Sequence, residues 1–165
     1  MKNDRLDATD ISLMRYLSED GRMPVKELAE KLQVTPPTVY TRIKNMLTAG
    51  VMKIVGQVDI FKVGNFQSAI VAININDDSK MESIMETLTS FPEVQWAVAV
   101  TGRYDIFVEV ILEESMEALF NFHTQKLSSL DGVSNSESFV IMKTKNKWFS
   151  LSSMQSGGDI AGGSR

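Results

Sequence analysis

Along residues 9–48 apolar side chains return every three or four positions. Along residues 68–143 they crowd into short β-branched runs separated by two stretches of helical spacing. The first pattern predicts amphipathic helices, the second strands alternating with helices. Asp7 or Thr9 can cap a first helix that carries Ile11, Met14 and Leu17 at intervals of three, and Asp20-Gly21-Arg22 closes it. Val25, Leu28, Ala29 and Leu32 mark a second helix by the same spacing. Thr35 offers an N-cap to a third, with Pro36 at the first helical position, where a missing N–H costs nothing. Val39, Ile43, Met46 and Leu47 fall at i, i+4, i+7 and i+8 as its inward stripe, and Gly50 stops it. The run VMKIVGQVDI then sets β-branched residues around Gly56 and predicts a hairpin or wing followed by a connecting strand.

The second region reads β-α-β-β-α-β. Strands are predicted near residues 68–76, 94–102, 104–112 and 133–143, and helices near 80–91 and 116–127. Two halves of the same order make a ferredoxin-like α+β sandwich. The fold class is therefore α+β: an N-terminal winged helix-turn-helix over residues 1–60, a ferredoxin-like βαββαβ domain over 61–149, and a Ser/Gly-rich tail over 150–165 expected to be flexible.

The runs AIVAINI, VQWAVAV and DIFVEVI are apolar at nearly every position, whereas a sheet with one wet face alternates apolar and polar side chains. The face away from the helices must then be covered, and nothing left in the chain is large enough. A second copy of the same sheet serves, giving a two-fold homodimer suited to two DNA half-sites. The other arrangement is the N-terminal domain folding back over the sheet.

Charge sharpens this picture. The net charge is −4, yet residues 1–60 hold nine Lys/Arg against eight Asp/Glu, and residues 61–165 hold eight against thirteen. From Lys31 to Val58 there is no acidic residue, while Lys31, Arg42, Lys44 and Lys53 are basic. Local potential, not whole-chain charge, governs contact with phosphates. With Val39, Ile43 and Met46 inward, the third helix turns out Thr38, Thr41, Arg42, Asn45 and Thr48. Arginine can pair with guanine O6 and N7, and asparagine with adenine N6 and N7. Pro37 at the helix entry, with Tyr40, Lys44 and Lys53, suits the DNA backbone, where contacts position without specifying sequence. The alternative is a solvated face of an ordinary three-helix domain.

A second candidate is TGRYD, Thr101–Asp105, where Gly102 permits a tight turn between strands. Turn amides can hold a carboxylate and Asp105 an ammonium, so a zwitterion fits; a plain hairpin turn whose Asp bonds its own backbone is the other reading. The lone His123 lies on the stripe Met116, Leu119, Phe120, His123, Leu127 and is expected at the core or its rim. With no cysteine, one histidine and no paired carboxylates at acid/base spacing, neither metal, cofactor nor catalysis is expected. The charged opening MKNDRLDATD and the lack of an apolar run of about 18 residues point to a cytoplasmic address without a membrane partner.

The segment LDATDISLMRYLSEDGRMPVKELAEKLQVTPPTVYTRIKNMLTAGVM closely resembles the winged helix-turn-helix of the Lrp/AsnC, or leucine-responsive, regulators. The opening LDxxD, the ELA of the second helix, the TPP entry, Arg42 and the AGVM exit fall where that pattern has them. TGRYDIFVEV resembles the family's Gly-x-Tyr-Asp turn leading into a strand, and GVSNSESFVIMK its last strand. The resemblance covers residues 6–147. It implies a transcription factor that binds double-stranded DNA, dimerises through its sheet and often assembles to an octamer. It implies a small effector, usually an amino acid, near Thr101, Gly102, Tyr104 and Asp105. Arg103 varies in kind in such turns, and the Ser/Gly tail departs from the family core. Two rivals remain: an enzyme of the related haem-precursor decarboxylase branch, whose histidine- and arginine-rich motif is missing here, and a nucleoid-structuring protein with little sequence preference.

Overall fold

The computed structural model describes residues 6–150. They form two compact units that divide between Gly56 and Gln57, slightly ahead of the boundary expected at residue 60. The tail expected at 150–165 lies outside the described residues, apart from Ser150.

The first unit holds three helices, α1 (Ala8–Glu19), α2 (Val25–Leu32) and α3 (Pro36–Thr48). Asp7 caps α1: its side chain accepts from the Asp10 amide at 2.9 Å, and the Asp10 carboxylate accepts from the Asp7 amide at 3.1 Å. This reciprocal pair satisfies two of the amides a helix start leaves open. Leu13, Leu17, Leu28, Ala29, Val39 and Met46 form the core of the unit. Two expected core positions lie outside it. Ile11 is 48% exposed, because the buried face of α1 is set by Leu13 and Leu17; Leu47 is 42% exposed, because Val39 and Met46 centre the buried face of α3. At about 100° per residue, Leu47 sits well round the cylinder from that centre.

Between α2 and α3 the chain turns at Gln33, which adopts a left-handed conformation (φ 55°) usually given to glycine or asparagine. The turn is held by the Val34 amide donating to the Ala29 carbonyl at 3.1 Å. Beyond Gly50 the expected wing is not formed. Residues 52–57 have no regular structure, and Ile54 and Val55 stay more than two-fifths exposed. Without a second strand to pair with, β-branched residues alone do not make a hairpin.

The second unit begins with a short helix, α4 (Ile60–Val63), and continues as β1 (Phe66–Ile75), α5 (Met81–Ser90), β2 (Val94–Ala99), β3 (Ile106–Glu113), α6 (Met116–Asn121) and β4 (Val133–Val140). The sheet is antiparallel, ordered β2-β3-β1-β4, as a ferredoxin-like βαββαβ requires. α6 passes into a wider π-helical turn, Phe122–Lys126, which buries Phe122 and brings the Lys126 ammonium to 2.6 Å from Glu93. One sheet face, with Val71, Ile73, Val108 and Val110, packs on Ile84, Leu88, Leu119, Phe122 and Leu127 to make the main core.

The opposite face differs from expectation in one respect. The chain covers part of it itself: Ile60 and Phe149 pack on Ile111, with Val58 and Phe66 beside them, and Val58 pairs with Phe149 as an antiparallel bridge. The rest carries Ile70 and Phe107, half-buried, with Val98 (42%) and Phe139 (47%) exposed.

Candidate nucleic-acid interface and ligand turn

Two consecutive prolines start α3, at positions whose amides would otherwise lack partners. Thr35 is the capping residue, but its hydroxyl pairs with that of Thr38 at 2.8 Å and makes no bond to a backbone amide. The Thr41 hydroxyl donates to the Pro37 carbonyl at 2.9 Å, and its oxygen can still accept. Pro37, Tyr40, Thr41, Lys44, Asn45 and Thr48 are exposed, and Thr38 is half-buried. Lys44 and Asn45 engage no other side chain among the described residues. Tyr40, Ile43, Lys44, Leu47 and Thr48 line a shallow groove along the helix. Lys53 is exposed, but on a segment without regular structure, with no wing to carry it.

Arg42 is placed differently from its neighbours. Its Nη1 lies 2.8 Å from Asp7 Oδ2 and 2.9 Å from Asp10 Oδ1, so the guanidinium is on the first turn of α1. The hydrogen bonds that Arg42 donates to Asp10 and Asp7 hold its pKa above the usual value. The Asp7 carboxyl is held below the usual range, first by the Asp10 amide and then by Arg42. The stretch without acids is therefore not without acids in space, since α1 brings two carboxylates to it.

In the second unit the turn from β2 to β3 is bound to the end of β1. The Val100 amide donates to the Asp105 carbonyl at 2.9 Å, and the Asp105 amide to the Ile73 carbonyl at 3.0 Å. Asp105 Oδ2 accepts from the Ile75 amide at 2.9 Å, and Asn74 donates its side-chain amide to the Arg103 carbonyl at 2.8 Å. Gly102 has φ 126°, which side chains with a Cβ rarely adopt. The amides of Thr101, Gly102, Arg103 and Tyr104 donate to no protein acceptor among the described residues. The Tyr104 hydroxyl donates to the Glu137 carboxylate on β4, which pushes the phenol pKa up. The Arg103 guanidinium stands 5.4 Å from the Tyr104 ring centre. Thr101, Gly102, Tyr104 and Asp105 thus share one turn, joined by Asn74 and Glu137, which pattern reasoning missed. Glu137 sits in the alternating run SNSESF, and only the pairing of β4 with β1 brings it to Tyr104.

His123 is half-buried and bonds the hydroxyls of Ser136 and Ser138; burial lowers its pKa from 6.5. No group of three His, Cys, Asp or Glu side chains that could hold a metal is found among the described residues. None of the described helices is long and apolar enough to cross a membrane.

Comparison with known proteins agrees with this division. The AsnC-type helix-turn-helix domain matches residues 6–47, and the Lrp/AsnC ligand binding domain matches residues 68–148. An uncharacterized HTH-type transcriptional regulator of Pyrococcus horikoshii is 33% identical over 144 residues, 87% of this chain and 89% of its own. The structure of Escherichia coli AsnC is similar with a TM-score of 0.67 at 25% identity, over 84% of this chain and 93% of that one. A Neisseria meningitidis transcriptional regulator solved as an L-Met complex gives a TM-score of 0.70 at 26% identity, over 88% and 96%. A helix-turn-helix unit followed by a ligand-binding α+β sandwich defines a ligand-responsive transcriptional regulator. The chain belongs to the Lrp/AsnC family.

Proposed function

We propose that this regulator binds operator half-sites through the outer face of α3 as a two-fold homodimer, and that an amino acid or similar zwitterion tunes its assembly. Thr38, Thr41 and Asn45 face the bases, and Pro37, Tyr40, Lys44 and Lys53 lie along the DNA backbone. The observation that carries this is the exposed row Thr41, Lys44, Asn45 and Thr48 on a helix that contains no carboxylate.

The effector is held at Thr101, Gly102, Tyr104 and Asp105. The amides of residues 101–104 suit its carboxylate, and the second oxygen of Asp105 suits its ammonium. The L-Met complex of the meningococcal relative supports this class of ligand. The sheet face carrying Ile70, Val98, Phe107 and Phe139 supports dimerisation, and further assembly up to an octamer gives effector and DNA a common readout. A cytoplasmic location goes with DNA as partner.

The test is a selection of duplexes from a random pool with the full chain, followed by titration at fixed salt with and without each amino acid. Asn45→Ala is expected to lose selectivity at one position by about 1–3 kcal/mol. Lys44→Ala is expected to weaken all duplexes and to lower the slope of log Kd against log salt by about 1. A pool that returns no preferred sequence refutes operator reading and favours a structuring role.

A further inference from the structure

The most tightly organised charged cluster of the first unit joins helices that lie far apart in sequence. Asp7 uses Oδ1 for the Asp10 amide and Oδ2 for Arg42; Asp10 uses Oδ2 for the Asp7 amide and Oδ1 for Arg42. All four carboxylate oxygens are thus engaged, two by the start of α1 and two by one nitrogen of α3. The Asp10 side chain is 14% exposed, that of Arg42 30% and that of Asp7 48%, so the network lies on the flank of the core with Asp7 at its solvent edge.

We propose that Asp7 and Asp10 are positioning residues for DNA recognition, acting through Arg42 to fix how α3 is rotated and seated on α1. The proposal rests on α3 being the helix that meets DNA, and it assigns Arg42 to holding that helix in place of reading a base.

Three considerations support it. The first is angular. At about 100° per residue Arg42 falls only about 40° from the buried Met46 and about 60° from the buried Val39. It therefore borders the core stripe, while Thr41, Lys44 and Thr48 occupy the far side of the helix. The second is electrostatic. If Arg42 swung out to a guanine, Asp7 and Asp10 would be left side by side, uncompensated, close to approaching phosphates. An exposed ion pair is worth little, but removing the cation from two ordered carboxylates leaves both without their partner. The third is leverage. Base readout depends on angles, and a rotation of α3 on its core stripe displaces Thr41 and Asn45 together. Apolar packing at Val39 and Met46 tolerates some rolling, whereas two directional bonds of 2.8 and 2.9 Å do not.

The experiment uses the full chain and the duplex it selects, with a scrambled duplex as reference. Kd for each is measured at several salt concentrations, at a temperature where circular dichroism shows every variant folded. Arg42→Ala and Asp10→Asn are each expected to lower the ratio of specific to scrambled affinity about tenfold, with the double variant no worse than either alone. The salt slope stays unchanged, because no phosphate contact is lost. Arg42→Lys is expected to keep the ratio within about threefold, since one ammonium can meet both carboxylates as the single Nη1 does. Asp7→Asn, at the more exposed site, gives the same comparison if Asp10→Asn does not fold.

Two patterns overturn the proposal. In one, Arg42→Lys loses as much as Arg42→Ala while Asp10→Asn tightens binding: Arg42 then reads a base directly. In the other, the melting temperature falls with the affinity ratio untouched: the cluster then serves α1 alone. A wild-type chain with no preferred duplex refutes the reading of α3 itself, an outcome recognisable before any variant is made.

Discussion

Lys147 sets its ammonium 2.8 Å from a carboxylate oxygen of Glu109, a residue only 1% exposed at the centre of the sheet. The same carboxylate accepts from the Trp96 indole at 2.6 Å and from the Ser68 hydroxyl at 3.4 Å, and Lys147 lies over the Trp96 and Phe149 rings. A charge buried on the far face of the sheet is thereby closed off by the segment that follows β4.

Removing one side of this pair should cost more than softening it. Lys147→Ala leaves a buried carboxylate with neutral donors alone and is expected to destabilise the chain by about 1–3 kcal/mol. Glu109→Gln keeps the acceptor for Trp96 and is expected to cost less. Urea unfolding followed by Trp fluorescence measures both; equal losses would mean that Lys147 contributes packing only.

Asp105 has a structural task beside its proposed ligand task, because it accepts from the Ile75 amide. Asp105→Ala is expected to lose effector response and about 1 kcal/mol of stability. Asp105→Asn keeps an acceptor, so stability is expected to hold while the response falls. Calorimetric titration with amino acids, run beside thermal melts, separates the two. A full response from the asparagine variant would remove the carboxylate charge from the site.

His123 gives a pH dependence with a definite sign. Burial lowers its pKa below 6.5 in the folded chain, so the unfolded chain binds the extra proton first. The contribution is fully present above about pH 6.5 and is lost as pH falls toward the depressed folded value. Melting temperatures are expected to drop across that window, and His123→Gln should flatten the drop. The Asp7 effect belongs to a separate and more acidic window, since its pKa is lowered from 3.8 and its contribution disappears only as that carboxylate is protonated.

The far face of the sheet presents a row across all four strands, Phe139–Ile70–Glu109–Trp96, by direct pairing of neighbours. Phe139, at its open end, is 47% exposed. A charge there should oppose a second copy without disturbing the helix-side core. Phe139→Glu is expected to halve the mass seen by light scattering and to weaken binding to paired half-sites far more than to a single one. An unchanged mass would place the dimer contact elsewhere.

What the sequence determined by itself was whatever depends on neighbours a few positions apart. Helix periodicity and the two prolines gave α1, α2 and α3, Gly50 gave the stop, and the β-branched runs gave the four strands in order. The Gly102 turn was legible because its backbone conformation is local. Only the tertiary structure decided which element meets which. Arg42 counted as an outward cation until folding brought it Asp7 and Asp10, 35 and 32 positions away. Glu137 reached Tyr104 only once β4 paired with β1, and the expected wing failed for want of a pairing strand. The physical reason is the same in each case. Spacing specifies which side of an element is apolar, whereas partners across elements are fixed by how the packed faces rotate and register, which no local pattern encodes.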